Sequence, residues 1–272
     1  MQVRHKASAG GLILRTLFFL HGAPGDGTLW QPVMNALEGG IGVSSMHSPT
    51  LRWFGPEAWN DDGADFGTEA HTLQLVELIG QARAAGASDI ALVAWSYSCH
   101  VVLNTLVRHP RLIDRALLYE PGLPTYLTDP GDIDVFHRDA HAAFGPIAAQ
   151  LPGQGARRAV EMLFEVSGGA GCFASLPVGR RERYLESARI MPLLMGGGQP
   201  PTDLKAQDLA RISIPVTVAF GEQTRPLFEV ASRAVARAIP RASLKTIADA
   251  HHMLPETAPD RFAALVRQWL QE

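Results

Sequence analysis

Residues 91–99 read ALVAWSYSC, and their reading decides the fold. An apolar run leads into Ser96, with the small residue Ala94 two positions before it and Ser98 two after. A strand that turns into a helix through a serine with small neighbours is the layout of a nucleophile on a sharp bend. Bulk two residues to either side would strike adjacent backbone there. The plainer alternative is a serine at a strand end that caps the following helix.

Outward from this segment, short apolar runs alternate with longer helix-like stretches, which predicts a mostly parallel sheet flanked by helices. The expected strands are Thr16–Leu20, Gly42–Met46, Ile90–Trp95, Arg115–Tyr119, Val216–Phe220 and Ser243–Ile247. Several are apolar at consecutive positions, as strands buried on both faces must be. Helices are expected over Gly67–Ala84, Ser98–His109, Phe228–Ala238 and Pro259–Gln271. The first carries Leu75, Leu78, Ile79 and Ala82 on one face, and Pro110 ends the second. Between about Pro121 and Leu209 no strand pattern occurs. Glycine and proline are dense there, and short amphipathic pieces (His137–Phe144, Ala156–Glu165, Arg180–Met195) predict a helical insertion into one α/β domain spanning 1–272.

The 272 residues, 46% of them hydrophobic, suffice for a full core in a single domain. A formal net charge of −3 gives no basic stripe for nucleic acid. Two cysteines, Cys99 and Cys172, stand far apart and outside any metal-ligand spacing, which fits a reducing, cytoplasmic setting. The basic-then-apolar N-terminus is interrupted by Arg15 and runs straight into a turn. It reads as a tail plus a core strand rather than a secretory leader, and no stretch reaches the ~18 apolar residues of a membrane span. No phosphate loop or dinucleotide fingerprint is present, so no cofactor and no metal are expected, and the partner is a small molecule.

Two further motifs bear on Ser96. His21-Gly22-Ala23-Pro24-Gly25 follows an apolar strand, and such a turn brings a backbone N–H close to a developing oxyanion. Ala23 is expected to supply one N–H and Tyr97 the other; an ordinary Gly/Pro turn is the bland alternative. Ala250-His251-His252-Met253 follows the last strand, where either histidine has the pKa a serine's base requires.

With turn, serine and histidine in this order, the chain resembles the α/β-hydrolase fold superfamily over nearly its whole length. HGAPG looks like that superfamily's oxyanion turn, AWSYS like its G-x-S-x-G elbow, and HHM with PETAPDRF like its histidine loop and final helix. The resemblance implies an α/β-hydrolase fold with a helical cap over about 121–209, His252 as the base, and cofactor-independent serine chemistry. Most such proteins carry the triad acid in a Gly-x-x-Asp turn, which here reads Gly221-Glu222-Gln223-Thr224. Some branches, haloalkane dehalogenases among them, take it from the strand before. That points to Glu120, at the end of ALLYE, with Glu222 and Asp249 as alternatives.

The expected activity is cleavage of an ester, thioester or lactone of a small, largely apolar substrate by Ser96, His252 and Glu120. Carbon–carbon hydrolysis, acyl transfer and non-catalytic ligand binding are the alternatives. Trp95, His21 and Gly22 are expected at the substrate. Phe136, Phe144, Phe164, Phe173, Leu193 and Met195 fit either the site's walls or simple packing. Asp26 reads as a turn cap, and Arg180, Arg181 and Arg183 as a solvated helix face.

Overall fold

A computed structural model describes residues 15–38 and 42–272; the N-terminal tail expected ahead of the first strand lies outside them. The apolar runs form six strands: β1 (Arg15–Leu20), β2 (Ser45–His47), β3 (Asp89–Trp95), β4 (Arg115–Tyr119), β5 (Val216–Gly221) and β6 (Ala242–Ile247). They make one sheet in the order β2-β1-β3-β4-β5-β6, with every neighbouring pair parallel.

Side chains alternate along the central strands between two cores, which is why those strands are apolar throughout. Leu17, Phe19, Ala91, Val93 and Leu117 meet one core, closed by α1 (Gln31–Leu37) and the C-terminal α10 (Pro259–Gln271). Phe18, Leu20, Leu92, Ala94 and Leu118 meet the other, closed by α2 (Thr68–Ala84), α3 (Tyr97–Arg108) and, beyond β5, α8 (Pro226–Ala238). Burial of each such Leu or Phe contributes about 2 kcal/mol.

Between β4 and β5 the chain is helical: α4 (Pro130–Gly168), α5 (Cys172–Ser175), α6 (Val178–Glu186) and α7 (Ala206–Leu209). A short α9 (Leu254–Thr257) precedes α10. The two helices expected at 137–144 and 156–165 are parts of α4, kinked where Gly155 takes a φ of 80°. The helix expected over 180–195 stops at Glu186. It continues as a 3-10 turn (Ser187–Ile190) and a wide turn (Leu193–Gly197) in which Gly196 has φ 112°. β2 begins three residues later than expected, because Gly42 turns the chain at φ 61°. Helix α1 was not anticipated. Among the described residues, no helix is long and apolar enough to cross a membrane.

The strand order reverses direction at β1, since β2 lies on one side of it and β3 on the other. Parallel sheets open a crevice at such a point, beyond the carboxyl ends of the strands. The register fills it: Leu20 pairs with Ala94 and Trp95 with Tyr119, so Gly22, Ser96 and Glu120 emerge side by side.

Candidate active site

Ser96 occupies the single step between β3 and α3, at φ 56° and ψ −118°. A non-glycine residue in this region costs about 1–3 kcal/mol, so the surroundings must impose it. They do so on both sides: the Ser96 N–H donates to the Tyr119 carbonyl at 2.9 Å, and the Ser96 carbonyl accepts from the Cys99 N–H at 3.0 Å. The flanks also explain their residue types. Ser98 is buried, and its hydroxyl donates to the His21 carbonyl at 2.5 Å, tying α3 to the turn after β1. A Cβ on Gly22 would stand 2.9 Å from the Trp95 ring and 3.2 Å from the Ser96 Cβ, so the turn needs glycine to pack against the bend.

The loop after β6 brings His252 to this bend, with Nε2 3.0 Å from the Ser96 Oγ. Its Nδ1 stands 2.6 Å from Glu120 Oε2. A carboxylate only accepts, so Nδ1 carries the hydrogen and Nε2 is left to accept from the Ser96 hydroxyl. Phe228 stacks on the imidazole at 3.7 Å and 8°, and Trp95 flanks it at 5.6 Å, which fixes the ring plane. His251 is engaged otherwise: its Nδ1 accepts from the Met253 N–H and its carbonyl from the Tyr119 hydroxyl.

Glu120 is fully buried at φ 56°. Its Oε1 accepts from the Gly221 N–H at 2.7 Å, and its Oε2 from both His252 and the Thr224 hydroxyl, the latter at 2.7 Å. The turn where the acid was first sought therefore contributes a hydroxyl donor to an acid from β4. Gly221 permits this approach, since a Cβ there would lie 2.2 Å from the Ala250 carbonyl oxygen. Glu222 and Asp249 are exposed and touch each other's loop, with Asp249 N–H donating to Glu222 at 3.2 Å, and neither reaches His252.

Above these residues opens a cavity of about 620 Å³. Ala23, Ser96, Tyr97 and His252 line it, and among the described residues neither the Ala23 nor the Tyr97 N–H has an acceptor. Phe144, Phe164, Leu193 and Met195 line it too, whereas Phe136 and Phe173 pack elsewhere.

Trp95, His21 and Gly22, expected at the substrate, do not line the cavity. Alternation along β3 turns Trp95 into the core beside Trp30. His21 is fully buried and accepts from the Leu51 N–H at 3.0 Å; burial pushes its pKa down to about 4 and keeps it neutral. Gly22 serves the close packing described above. Each of the three shapes the site from behind.

Sequence reasoning missed a set of ion pairs that joins α6 to the segments after β1 and β6. Arg183 Nε pairs with Asp26 at 2.6 Å, and Arg180 pairs with Glu256 at 2.7 Å while donating to the Thr28 hydroxyl at 3.0 Å. Tyr184 donates to the same Glu256 oxygen and lies under the Arg180 guanidinium. Asp26 also caps the Thr28 N–H at 2.8 Å, as its turn position predicts. Burial raises its pKa, but the Thr28 hydroxyl, Arg180 and Arg183 outweigh that and hold the carboxyl below its usual range. Of the three arginines read as solvated, Arg180 and Arg183 are thus partly buried partners of Asp26 and Glu256, and Arg181 is a partner of neither.

A model of the Alpha/beta hydrolase family matches residues 17–265. No curated protein matches by sequence. Similar solved structures include an esterase from Rhodococcus sp. ECU1013, with TM-score 0.71, 18% identity, and 95% of this chain and 91% of that one covered. The enol-lactonase from Burkholderia xenovorans LB400 superposes with TM-score 0.70 at 17% identity, covering 96% and 93%. MenH from S. aureus does so with TM-score 0.70 at 18%, covering 94% and 93%. At these identities the likeness is one of fold, and it agrees with the topology above. The chain belongs to the Alpha/beta hydrolase family.

Proposed function

We propose that this protein is a cofactor-independent serine hydrolase that cleaves an ester, thioester or lactone through an acyl-enzyme. The helical segment between β4 and β5 acts as its cap. Ser96 attacks the carbonyl carbon as His252 Nε2 takes the hydroxyl proton, and the Ala23 and Tyr97 N–H groups receive the oxyanion. Glu120 stabilises the imidazolium, which then gives its proton to the leaving oxygen or sulfur. Water, deprotonated by the same imidazole, releases the acid.

The observation that carries this reading is the unbroken line of two hydrogen bonds, 3.0 Å from Ser96 to His252 and 2.6 Å from His252 to Glu120. Family membership and the esterase and enol-lactonase relatives support it. Hydrolysis of a panel of 4-nitrophenyl esters tests it. The Ser96→Ala variant is expected to fold as wild type and lose at least ~10³-fold in kcat. Turnover within about tenfold of wild type rejects Ser96 as the nucleophile.

A further inference from the structure

The cavity beside Ser96 is apolar without being featureless. Phe66, Phe144, Phe164, Leu193, Met195 and Phe228 form much of its wall. Among the described residues that line it, none is Asp, Glu, Lys or Arg. Its polar groups are amides, hydroxyls and imidazoles, such as Gln199, Thr68, Ser167 and His100. The His100 Nε2–H donates to the Thr202 carbonyl at 2.8 Å, and burial pushes the ring's pKa down to about 4. His141 stands exposed at the edge.

Several charged side chains carried by the same wall elements are paired elsewhere. Arg225 pairs with Asp139 of α4 at 2.5 Å and donates to the Val166 carbonyl. Glu165 of α4 accepts from the Gly171 N–H at 2.6 Å, and Arg189 lies over the Trp59 ring. An ion seated against this apolar wall would give up part of its water and find no counter-charge among the side chains that line the cavity, a loss that hydroxyls and amides do not make good. The volume, about 620 Å³, holds roughly 20 water-sized groups.

Resting on the hydrolase reading above, we infer that the substrate is an ester without formal charge on the part that enters this cavity, an aliphatic or aromatic body of up to that size. Carboxylate, phosphate and ammonium groups are turned away there.

Matched esters test this. One set varies the acyl end: 4-nitrophenyl hexanoate, the 4-nitrophenyl monoester of adipate, and 4-nitrophenyl 6-aminohexanoate. The other varies the alcohol end of phenyl esters in the same way. With rates divided by those of hydroxide-catalysed hydrolysis, both the anionic and the cationic member of at least one set are expected to fall about 100-fold in kcat/KM below the neutral one. Penalties under about tenfold in both sets, or a preference for an ion in either, overturn the inference. Ala148→Lys, at an exposed position of the α4 wall, supplies the missing cation and is expected to shrink the anionic penalty about fivefold; an unchanged penalty also overturns it. Parallel labelling of Ser96 with a fluorophosphonate separates the two levels. An unlabelled Ser96 sinks the hydrolase reading and this inference with it, whereas a labelled Ser96 with small penalties sinks the inference alone.

Discussion

Glu120→Gln keeps the side chain's shape and removes its charge, and the structure sets how badly that should hurt. Three donors converge on the two Glu120 oxygens: the Gly221 N–H, the Thr224 hydroxyl and the His252 ring. A carboxylate accommodates all three, but glutamine has one accepting oxygen and one NH₂ group. If the oxygen keeps His252 and Thr224, the NH₂ faces the Gly221 N–H, donor against donor. If the amide turns over, it donates to His252 Nδ1, so the hydrogen moves to Nε2 and the Ser96 hydroxyl loses its base. Loss of a hydrogen bond to a charged group removes about 1.5–3 kcal/mol, some ten- to 100-fold in rate. The wrong tautomer adds to this, for a total of roughly 10³–10⁴-fold in kcat. Steady-state hydrolysis of a neutral 4-nitrophenyl ester reads the loss, with a melting curve to show that the variant folds. Glu222→Gln and Asp249→Asn, at the two exposed carboxylates, are expected to stay within about threefold. A folded Glu120→Gln variant within about tenfold of wild type refutes the assignment of the acid.

Thr224→Val removes one donor to the Glu120 carboxylate but leaves the other two, so kcat should drop only about tenfold, measured in the same assay. Arg180→Met leaves the nearly buried Glu256 without its cation and is expected to destabilise the fold by roughly 3 kcal/mol in urea unfolding. Adding Glu256→Gln should recover part of that, and strictly additive losses would show that the two side chains are uncoupled. His21, His71 and His100 are buried, with pKa values pushed down by desolvation from 6.5 to about 4. The unfolded chain therefore binds more protons between these values, and stability present above about pH 6.5 is lost as pH falls toward 4, by up to about 3 kcal/mol per histidine. Melting temperatures across that window check the sign; a flat profile contradicts it.

The parts of this fold that were legible in the sequence share one property: their signal is local. The β4 strand reads off as Arg115–Tyr119 because a strand covered on both faces is apolar at consecutive positions. Ser96 stood out because its bend requires small flanks, and the unexpected Thr224 in the acid's usual turn directed attention to Glu120. What stayed hidden depends on pairing across the chain. The Asp26–Arg183 bond joins residues 157 apart, and a run of arginines on one helix looks solvated until its partners are known. Trp95, His21 and Gly22 belong to the motifs themselves, yet strand alternation and tight packing turn them behind the site. Helix α1, seven residues held by Val33 and Leu37 against the core, is too short for its periodicity to register. The kink at Gly155 likewise split α4 into pieces that read as separate helices.

The central claim is that the hydroxyl at the β3–α3 bend is an activated nucleophile, and covalent capture tests it most directly. Wild-type protein treated with a fluorophosphonate at neutral pH is expected to gain the mass of one phosphonyl group, on the peptide that contains Ser96. Ser96→Ala is expected to gain none, and His252→Ala to react at least ~100-fold more slowly. A phosphonyl group on a different residue, or a wild-type protein that gains no mass, would contradict the account.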